Sequence, residues 1–323
     1  MSLAATHILV DWGTSSFRLW AVDAAGVVLA ERQSGEGLST LTSARFEGVL
    51  EAHLAALGIA EGVPAVICGM AGARTGWREA PYLDLPIRLA DFARHAIAVP
   101  AARRPVRILP GLAQSRLAQS RLAQSGLTQS GAGIRDVLRG EETQLLPLGA
   151  ASRTGLVCLP GTHSKWVRLE NGSVESFATF MTGELFHLLR RHSVLAQAVA
   201  SEGPVAPGPA FRAGVTAALD APAELTHLLF GPRADWLLAG TPVESGLERL
   251  SGLLIGAELA GARARYGRLD DGMLIASGSA ASLYAAALET AGVARFERQD
   301  AEGCARAGLA AAAAALFPIG AAA

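Results

Sequence analysis

Charge of one prevailing sign is missing from this sequence: 28 Lys and Arg stand against 29 Asp and Glu, a net charge of −1 over 323 residues. Without a global positive field the chain is not built to coat nucleic acid or an anionic membrane surface, so a phosphate ligand must be held by local geometry. Cysteine is scarce too. Cys68, Cys158 and Cys304 sit in apolar contexts with neither metal-ligand spacing nor a disulfide framework, which predicts reduced thiols in a cytoplasmic protein. No basic N-terminal segment leads into a long apolar core and cleavage site, so no export signal is expected. Long apolar runs are absent as well: the Ala-rich stretch 305–323, broken by Pro318 and Gly320, is too short to span a bilayer and reads as a docked terminal helix with a frayed end.

What is present is apolar. Half the residues are hydrophobic and only 18% are charged, which excludes a largely disordered chain. The length exceeds what one core usually organises, so two domains with a cleft are expected. Residues 7–12, 17–23 and 27–32 read as a β-meander punctuated by glycine turns, followed by a helix over 45–57 with Phe46, Val49, Leu50 and Leu54 on one face, and by a buried strand at 65–68. A second strand-turn-strand runs through Leu156–Pro160, Gly161–Ser164 and Trp166–Leu169, echoing the first. Later, 247–263 reads as a helix, 273–276 as a strand and 279–292 as a helix entered through Gly278. Strands alternating with helices in both halves indicate α/β architecture. Between them, 112–131 repeats LAQSR, LAQSR, LAQSG and LTQSG; four units without a stacking partner cannot bury a solenoid core, so an expanded surface loop is expected.

Three motifs carry chemistry. Asp11-Trp12-Gly13-Thr14-Ser15-Ser16-Phe17-Arg18 places a carboxylate at a strand end before a small-residue turn. Gly13 admits close backbone approach, Thr14 and Ser15 offer donors, Arg18 offers a cation, and Asp11 suits Mg²⁺, directly or through water. An ordinary glycine hairpin organised by its Asp reads the same way in isolation. Pro160-Gly161-Thr162-His163-Ser164-Lys165 repeats the pattern in the second half, with Gly161, Thr162 and Ser164 as phosphate donors and Lys165 as a cation for the transferring group. His163 reads as positional rather than as a base. In Ser277-Gly278-Ser279-Ala280, small residues at a strand-to-helix turn leave room for a flat adenine, or serve tight helix–strand packing, with Gly278 and Ser279 as the adenosine contacts.

The order of these turns resembles the actin, Hsp70 and sugar-kinase superfamily. The narrower match is to the 2-dehydro-3-deoxygalactonokinase family, carried in family order by DWGTSSFR, CGMAGARTGW at 68–77, RGEETQ at 139–144, PGTHSKWV at 160–167 and TFMTGELF at 179–186. The resemblance covers nearly the whole chain, apart from the LAQSR repeat. It implies two ribonuclease H-like domains of the actin/hexokinase type with ATP in the cleft between them. The expected bounds are 1–150 with the tail from about 305, and 151–304. It also implies transfer of the ATP γ-phosphoryl, with Mg²⁺, to the C6 hydroxyl of 2-dehydro-3-deoxy-D-galactonate in galactonate catabolism, without nucleic-acid or membrane partners. Oligomeric state is left open.

Within that frame Arg74 is expected to bind the substrate carboxylate, with Trp77 walling its carbon chain; a surface Arg and a core Trp are the alternative. Related glycerol-type kinases carry a Gly-Asp pair where this chain has Gly140-Glu141, so Glu141 is the expected base and Glu142 its rival for that role. Glu184 is a further candidate, although Thr182-Gly183-Glu184 also fits a helix start. Another sugar or sugar-acid kinase of the same superfamily, and an ATP-driven switch protein on the same fold, remain the rival functions.

Overall fold

The computed structural model describes residues 4–100, 102–114 and 135–319. The chain packs into two compact units, one made of Met1–Thr154, Leu169–Ser176 and Glu302–Ala323, the other of Gly155–Arg168 and Phe177–Ala301.

The first unit opens with the expected meander, β1 (His7–Trp12), β2 (Phe17–Val22) and β3 (Val28–Ser34). The apolar face of α1 (Phe46–Ala56) then packs Phe46, Val49, Leu50 and Leu54 onto Ile8, Val10 and Ile67, each buried side chain contributing about 1.5–3 kcal/mol. The chain returns as β4 (Ala65–Gly69), parallel to β1. With β7 (Ile97–Ala98) and β8 (Val106–Ile108) the sheet order is β3-β2-β1-β4-β8-β7. Strand register gathers the chemistry: Asp11 lies opposite Arg18 on β2 and opposite Cys68 on β4, so three polar side chains share one row at the end of a buried sheet.

A small second sheet, β10-β9-β5, is built from β5 (Tyr82–Asp84), β9 (Gly111–Gln114) and β10 (Asp136–Leu138). Two short elements, β6 (Ile87–Arg88) and α2 (Leu89–Phe92), lead into the rest of the unit, and β10 leads into α3 (Glu142–Ala150). The C-terminal helix α10 (Ala301–Leu316) docks on this unit: a side chain at Gly308 would collide with the Thr143 carbonyl, and the Phe317 carbonyl lies 2.9 Å from His7 Nε2.

The second unit repeats the scheme with β11 (Gly155–Leu159), β12 (Ser164–Glu170) and β13 (Ser173–Phe180), followed by β14 (Gly272–Ile275) and β15 (Phe296–Gln299). Its order, β15-β14-β11-β12-β13, mirrors β8-β4-β1-β2-β3, and β14 runs parallel to both β11 and β15. Two copies of one strand order make the fold α/β of the ribonuclease H-like kind. The tip of the β12–β13 hairpin belongs to the first unit, where Ser173 and Val174 pair with Arg88 and Ile87. Six helices complete the second unit: α4 (Thr182–His192), α5 (Pro209–Asp220), α6 (Leu225–Leu228), α7 (Gly231–Ala239), α8 (Val243–Tyr266) and α9 (Gly278–Thr290). Among the described residues no helix is long and apolar enough to cross a membrane.

The repeat corrects one expectation. Its first three residues are not loop: Leu112, Ala113 and Gln114 form β9 between β5 and β10, with Leu112 and Gln114 buried. Composition could not reveal this, because β9 is held by partners distant in sequence. The expectation for 115–131 lies outside the described residues. Excising 112–126 joins Gly111 to Leu127-Thr128-Gln129, which offers Leu and Gln at the two positions that β9 buries, with Thr in place of the partly exposed Ala113. The shortened chain is therefore expected to keep its fold, with Leu127→Asp unfolding it. A melt of the shortened chain and its Leu127→Asp form checks this. Equal melting of the two would contradict it.

Candidate active site

Asp11, next to last in β1 and followed by the fully buried Trp12, has a side chain 28% exposed; its Oδ2 lies 3.8 Å from Arg18 Nη1, and the Cys68 thiol reaches its Oδ1 at 3.7 Å. Burial pushes the Asp11 carboxyl up; Arg18 and the Cys68 contact draw it back, and the charges of Glu141 and Glu302 add to the upward push. A carboxylate held against its own solvation, beside other carboxylates, is suited to a divalent cation or a developing positive charge. The turn after β1 is fastened at both ends: Gly13 N–H donates to the Ser16 carbonyl at 2.8 Å, and Ser39 N–H donates to the Thr14 carbonyl at 2.8 Å. Thr14 and Ser15 at its tip are exposed.

Gly69 ends β4 at φ +81°, where a side chain would strike the Trp12 carbonyl, and Gly140 takes φ +109° just before α3. Only glycine holds such backbone without strain. Together they bring the start of α3 beside the Asp11–Cys68 row: a Cβ on Gly140 would lie 3.5 Å from the Gly69 Cα, and the Thr143 hydroxyl, donating to the Gly140 carbonyl at 2.7 Å, lies 3.8 Å from Cys68 Sγ.

The two adjacent glutamates part here. Glu141 caps α3 and is half-buried, whereas Glu142 is fully buried, its Oε2 accepting the Gly140 N–H at 2.6 Å and its Oε1 left without a hydrogen-bond partner. Burial, and next the charge of Glu141, push the Glu142 carboxyl up to about 8. Its unfolded value lies near 4.3. Charging Glu142 therefore costs stability: the native state is most favoured below the unfolded value, loses ground as pH rises toward about 8, and loses no more above it. Glu142→Gln keeps the acceptor for Gly140 and removes that cost. Its stability relative to the wild type is expected to improve by a few kcal/mol between pH 5 and pH 8.5. Melts at the two pH values decide, and a constant difference would contradict the placement.

The block 68–77 places its two candidates differently. Arg74 is 88% exposed and sits 3.7 Å from Glu79, while Trp77 packs its ring 6.4 Å from Phe46 and 6.5 Å from Trp12 at the margin of the core. A second arginine, which sequence reading passed over, lies deeper. Arg139 stacks on the Tyr82 ring at 4.2 Å, donates to the Ala80 carbonyl at 2.8 Å, and buries Nε and Nη1 without partners beside Gly72. It holds the 70–80 turn against β10.

In the second unit, Gly161, Thr162 and His163 are exposed at the turn between β11 and β12. His163 pairs with Glu184, and the Glu184 N–H donates to the Thr162 carbonyl at 2.9 Å, so Glu184 braces the turn from the first residues of α4. Lys165 is buried, its Nζ donating to the His163 carbonyl at 2.9 Å. The expected phosphate contact from Ser164 is corrected. Its side chain is fully buried and its hydroxyl donates to Glu258 at 2.7 Å, because β12 has begun at Ser164 and alternation turns it inward with Trp166. Gly278 at φ +59° and Ser279 open α9, both exposed, and Ser279 borders a cavity of about 240 Å³ that also touches Gly161, Thr182, Phe186, Ser251 and Tyr284. Sequence reading missed Glu258. A single acid among Ile255, Leu259 and Ala262 on the buried face of α8 was the available signal, since a buried charge must have partners.

Comparison with known proteins adds four findings. A family model described as 2-keto-3-deoxy-galactonokinase matches residues 11–312. A Rhizobium meliloti (strain 1021) protein assigned as a 2-dehydro-3-deoxygalactonokinase is 47% identical over 324 residues, 99% of this chain and 100% of that protein. The 2-dehydro-3-deoxygalactonokinase of Escherichia coli (strain K12) is 34% identical over 290 residues, 90% of this chain and 91% of its own length. A crystal structure of a Sinorhizobium meliloti protein assigned to the same activity superposes with a TM-score of 0.87 at 47% identity, covering 97% of this chain and 100% of that one.

Proposed function

The chain belongs to the 2-keto-3-deoxy-galactonokinase family, and from that premise we propose that its first unit carries the phosphoryl-transfer chemistry at the Asp11–Glu141 row. It is a kinase, using ATP to phosphorylate 2-dehydro-3-deoxygalactonate. One observation carries the site assignment: β1, β4 and α3 converge so that the half-buried Glu141 at the start of α3 adds its charge to the upward push on Asp11, which lies at the carboxyl end of one of two parallel strands.

In this reading the C6 hydroxyl oxygen attacks the γ-phosphorus, the bond from that phosphorus to the ADP oxygen breaks, and the hydroxyl proton passes to the Glu141 carboxylate. Glu141 suits the role better than Glu142. It is partly accessible, whereas Glu142 is sealed and commits one oxygen to Gly140. In a loose transition state such a carboxylate mainly orients the acceptor, while cations and backbone donors stabilise the transferring group.

Gly13, Thr14, Ser15 and Arg18 are the proposed phosphate ligands of the first unit; Gly161, Thr162 and Lys165 are those of the second, with the adenosine at Gly278 and Ser279. The oxygen donor at Asp11, with the carboxylates that raise its pKa, fits Mg²⁺. Asp11 would hold the ion, directly or through water, and the ion would supply charge neutralisation on the phosphate oxygens. Arg74 is the proposed carboxylate ligand, its exposed guanidinium being free to give up a surface pair of small value with Glu79. The enzyme is read as a cytoplasmic kinase of a free sugar acid.

The acceptor is tested by ADP release with a panel of 2-keto-3-deoxy acids beside neutral sugars. Turnover confined to the acids, greatest with 2-dehydro-3-deoxygalactonate, is expected. Comparable turnover with neutral sugars would reject the acid-binding reading.

A further inference from the structure

Four donors from three separate elements converge on one buried carboxylate in the second unit. Glu258, in the middle of α8 and 2% exposed, accepts at Oε1 from Ser164 Oγ at 2.7 Å and from Trp166 Nε1 at 2.8 Å. At Oε2 it accepts from Tyr284 Oη at 2.7 Å and from Thr182 Oγ1. An ionised carboxylate has about four lone-pair sites, so every one is filled and no solvent is needed to satisfy it. Burial pushes the Glu258 carboxyl up, and the four donors, Thr182 foremost, oppose that shift without cancelling it.

The donors are not arbitrary in place. Ser164 and Trp166 are the first and third residues of β12, directly after the exposed Gly161-Thr162-His163 turn. Thr182 opens α4, whose Gly183 backs onto the Gly161 carbonyl and whose Glu184 pairs with His163. Tyr284 lies two turns into α9, the helix that Gly278 and Ser279 begin. Glu258 itself follows Ser251, Leu254 and Ile255 on α8, which border the same cavity as Gly161, Ser279 and Tyr284. The β12 turn, α4, α8 and α9, which form most of that cavity's wall, are therefore tied to one buried carboxyl group.

We infer that Glu258 is a positioning residue for nucleotide binding, fixing the Gly161–Lys165 turn and the start of α9 relative to each other through its four hydrogen bonds. The inference rests on the reading of that turn as a phosphate site. Cooperative polar networks of this kind lock a unique geometry when complete and lose it when one member cannot accept. Gln at this position offers one acceptor oxygen and an amide that donates, so at most half the donors keep their partner.

The test is a split of Michaelis constants. In Glu258→Gln the KM for ATP is expected to rise about tenfold or more, with the KM for the sugar acid within about twofold of wild type. Tyr284→Phe, which removes one donor at almost constant volume, should raise the KM for ATP by about threefold in the same selective way. If Glu258→Gln lacks a native circular dichroism spectrum, Tyr284→Phe and Trp166→Phe, which deletes the Nε1 donor, carry the same test. Equal rises in both constants, as from general loosening, or a KM for ATP within twofold of wild type in the folded variants, would overturn the inference. Lys165→Ala separates the two levels. If it raises the KM for ATP while the network variants do not, the positioning role alone fails; if neither does, the phosphate reading of the turn fails and the inference with it.

Discussion

Glu141→Gln is expected to lower kcat by about a hundredfold to ten-thousandfold, with the KM for ATP and the melting temperature little changed. The amide keeps the shape of the side chain at the α3 cap but cannot take the acceptor's proton. Its neighbour supplies the control. Glu142 is fully buried, with Oε2 on the Gly140 N–H, so Glu142→Gln should alter stability and its pH dependence and leave turnover within about tenfold. The measurement is kcat for both variants at saturating ATP and acid. A severe loss in Glu142→Gln with near-normal Glu141→Gln would move the base by one residue and show that the buried carboxyl becomes accessible during turnover.

Asp11→Asn is expected to reduce kcat/KM for ATP by about a hundredfold or more, and to demand a higher Mg²⁺ concentration for half-maximal rate. The carboxyl of Asp11 is pushed up by burial and by the charges of Glu141 and Glu302, so its ionised form costs the folded state stability at neutral pH. Removing the charge should leave the fold at least as stable. A variant that melts no lower yet has lost its Mg²⁺ response is the signature of a group kept for chemistry against its cost in stability. An unaltered Mg²⁺ dependence would remove Asp11 from the metal site.

The two hairpins and the helices and strands that follow them were legible because they rest on local signals. The meander at 7–34 and its echo at 155–180 are β-rich runs broken at glycine turns, with β1, β2, β11 and β12 buried along most of their length, and α1 shows Phe46, Val49, Leu50 and Leu54 at helical spacing. The candidate site was legible in kind but not in orientation. Ser164 looks like any hydroxyl after a Gly-Thr turn; only the point where β12 begins makes it face inward to Glu258. Glu141 and Glu142 are alike as neighbours in sequence, and the turn of α3 buries one and leaves the other half-open. Arg139 and Leu112 escaped notice for a different reason. Each is fixed by partners far along the chain, Tyr82 and Ala80 for the first and the strands β5 and β10 for the second, which periodicity within one segment cannot report.

Transfer of phosphorus to one oxygen of a keto-deoxy acid is the central claim. Incubation of the purified chain with ATP, Mg²⁺ and 2-dehydro-3-deoxygalactonate, with phosphorus–proton correlation spectroscopy of the product, reads that oxygen directly. The expected result is stoichiometric ADP and a phosphomonoester coupled to the two C6 methylene protons. ADP without a phosphorylated acid, or phosphorus coupled to a ring or chain methine instead, would contradict it.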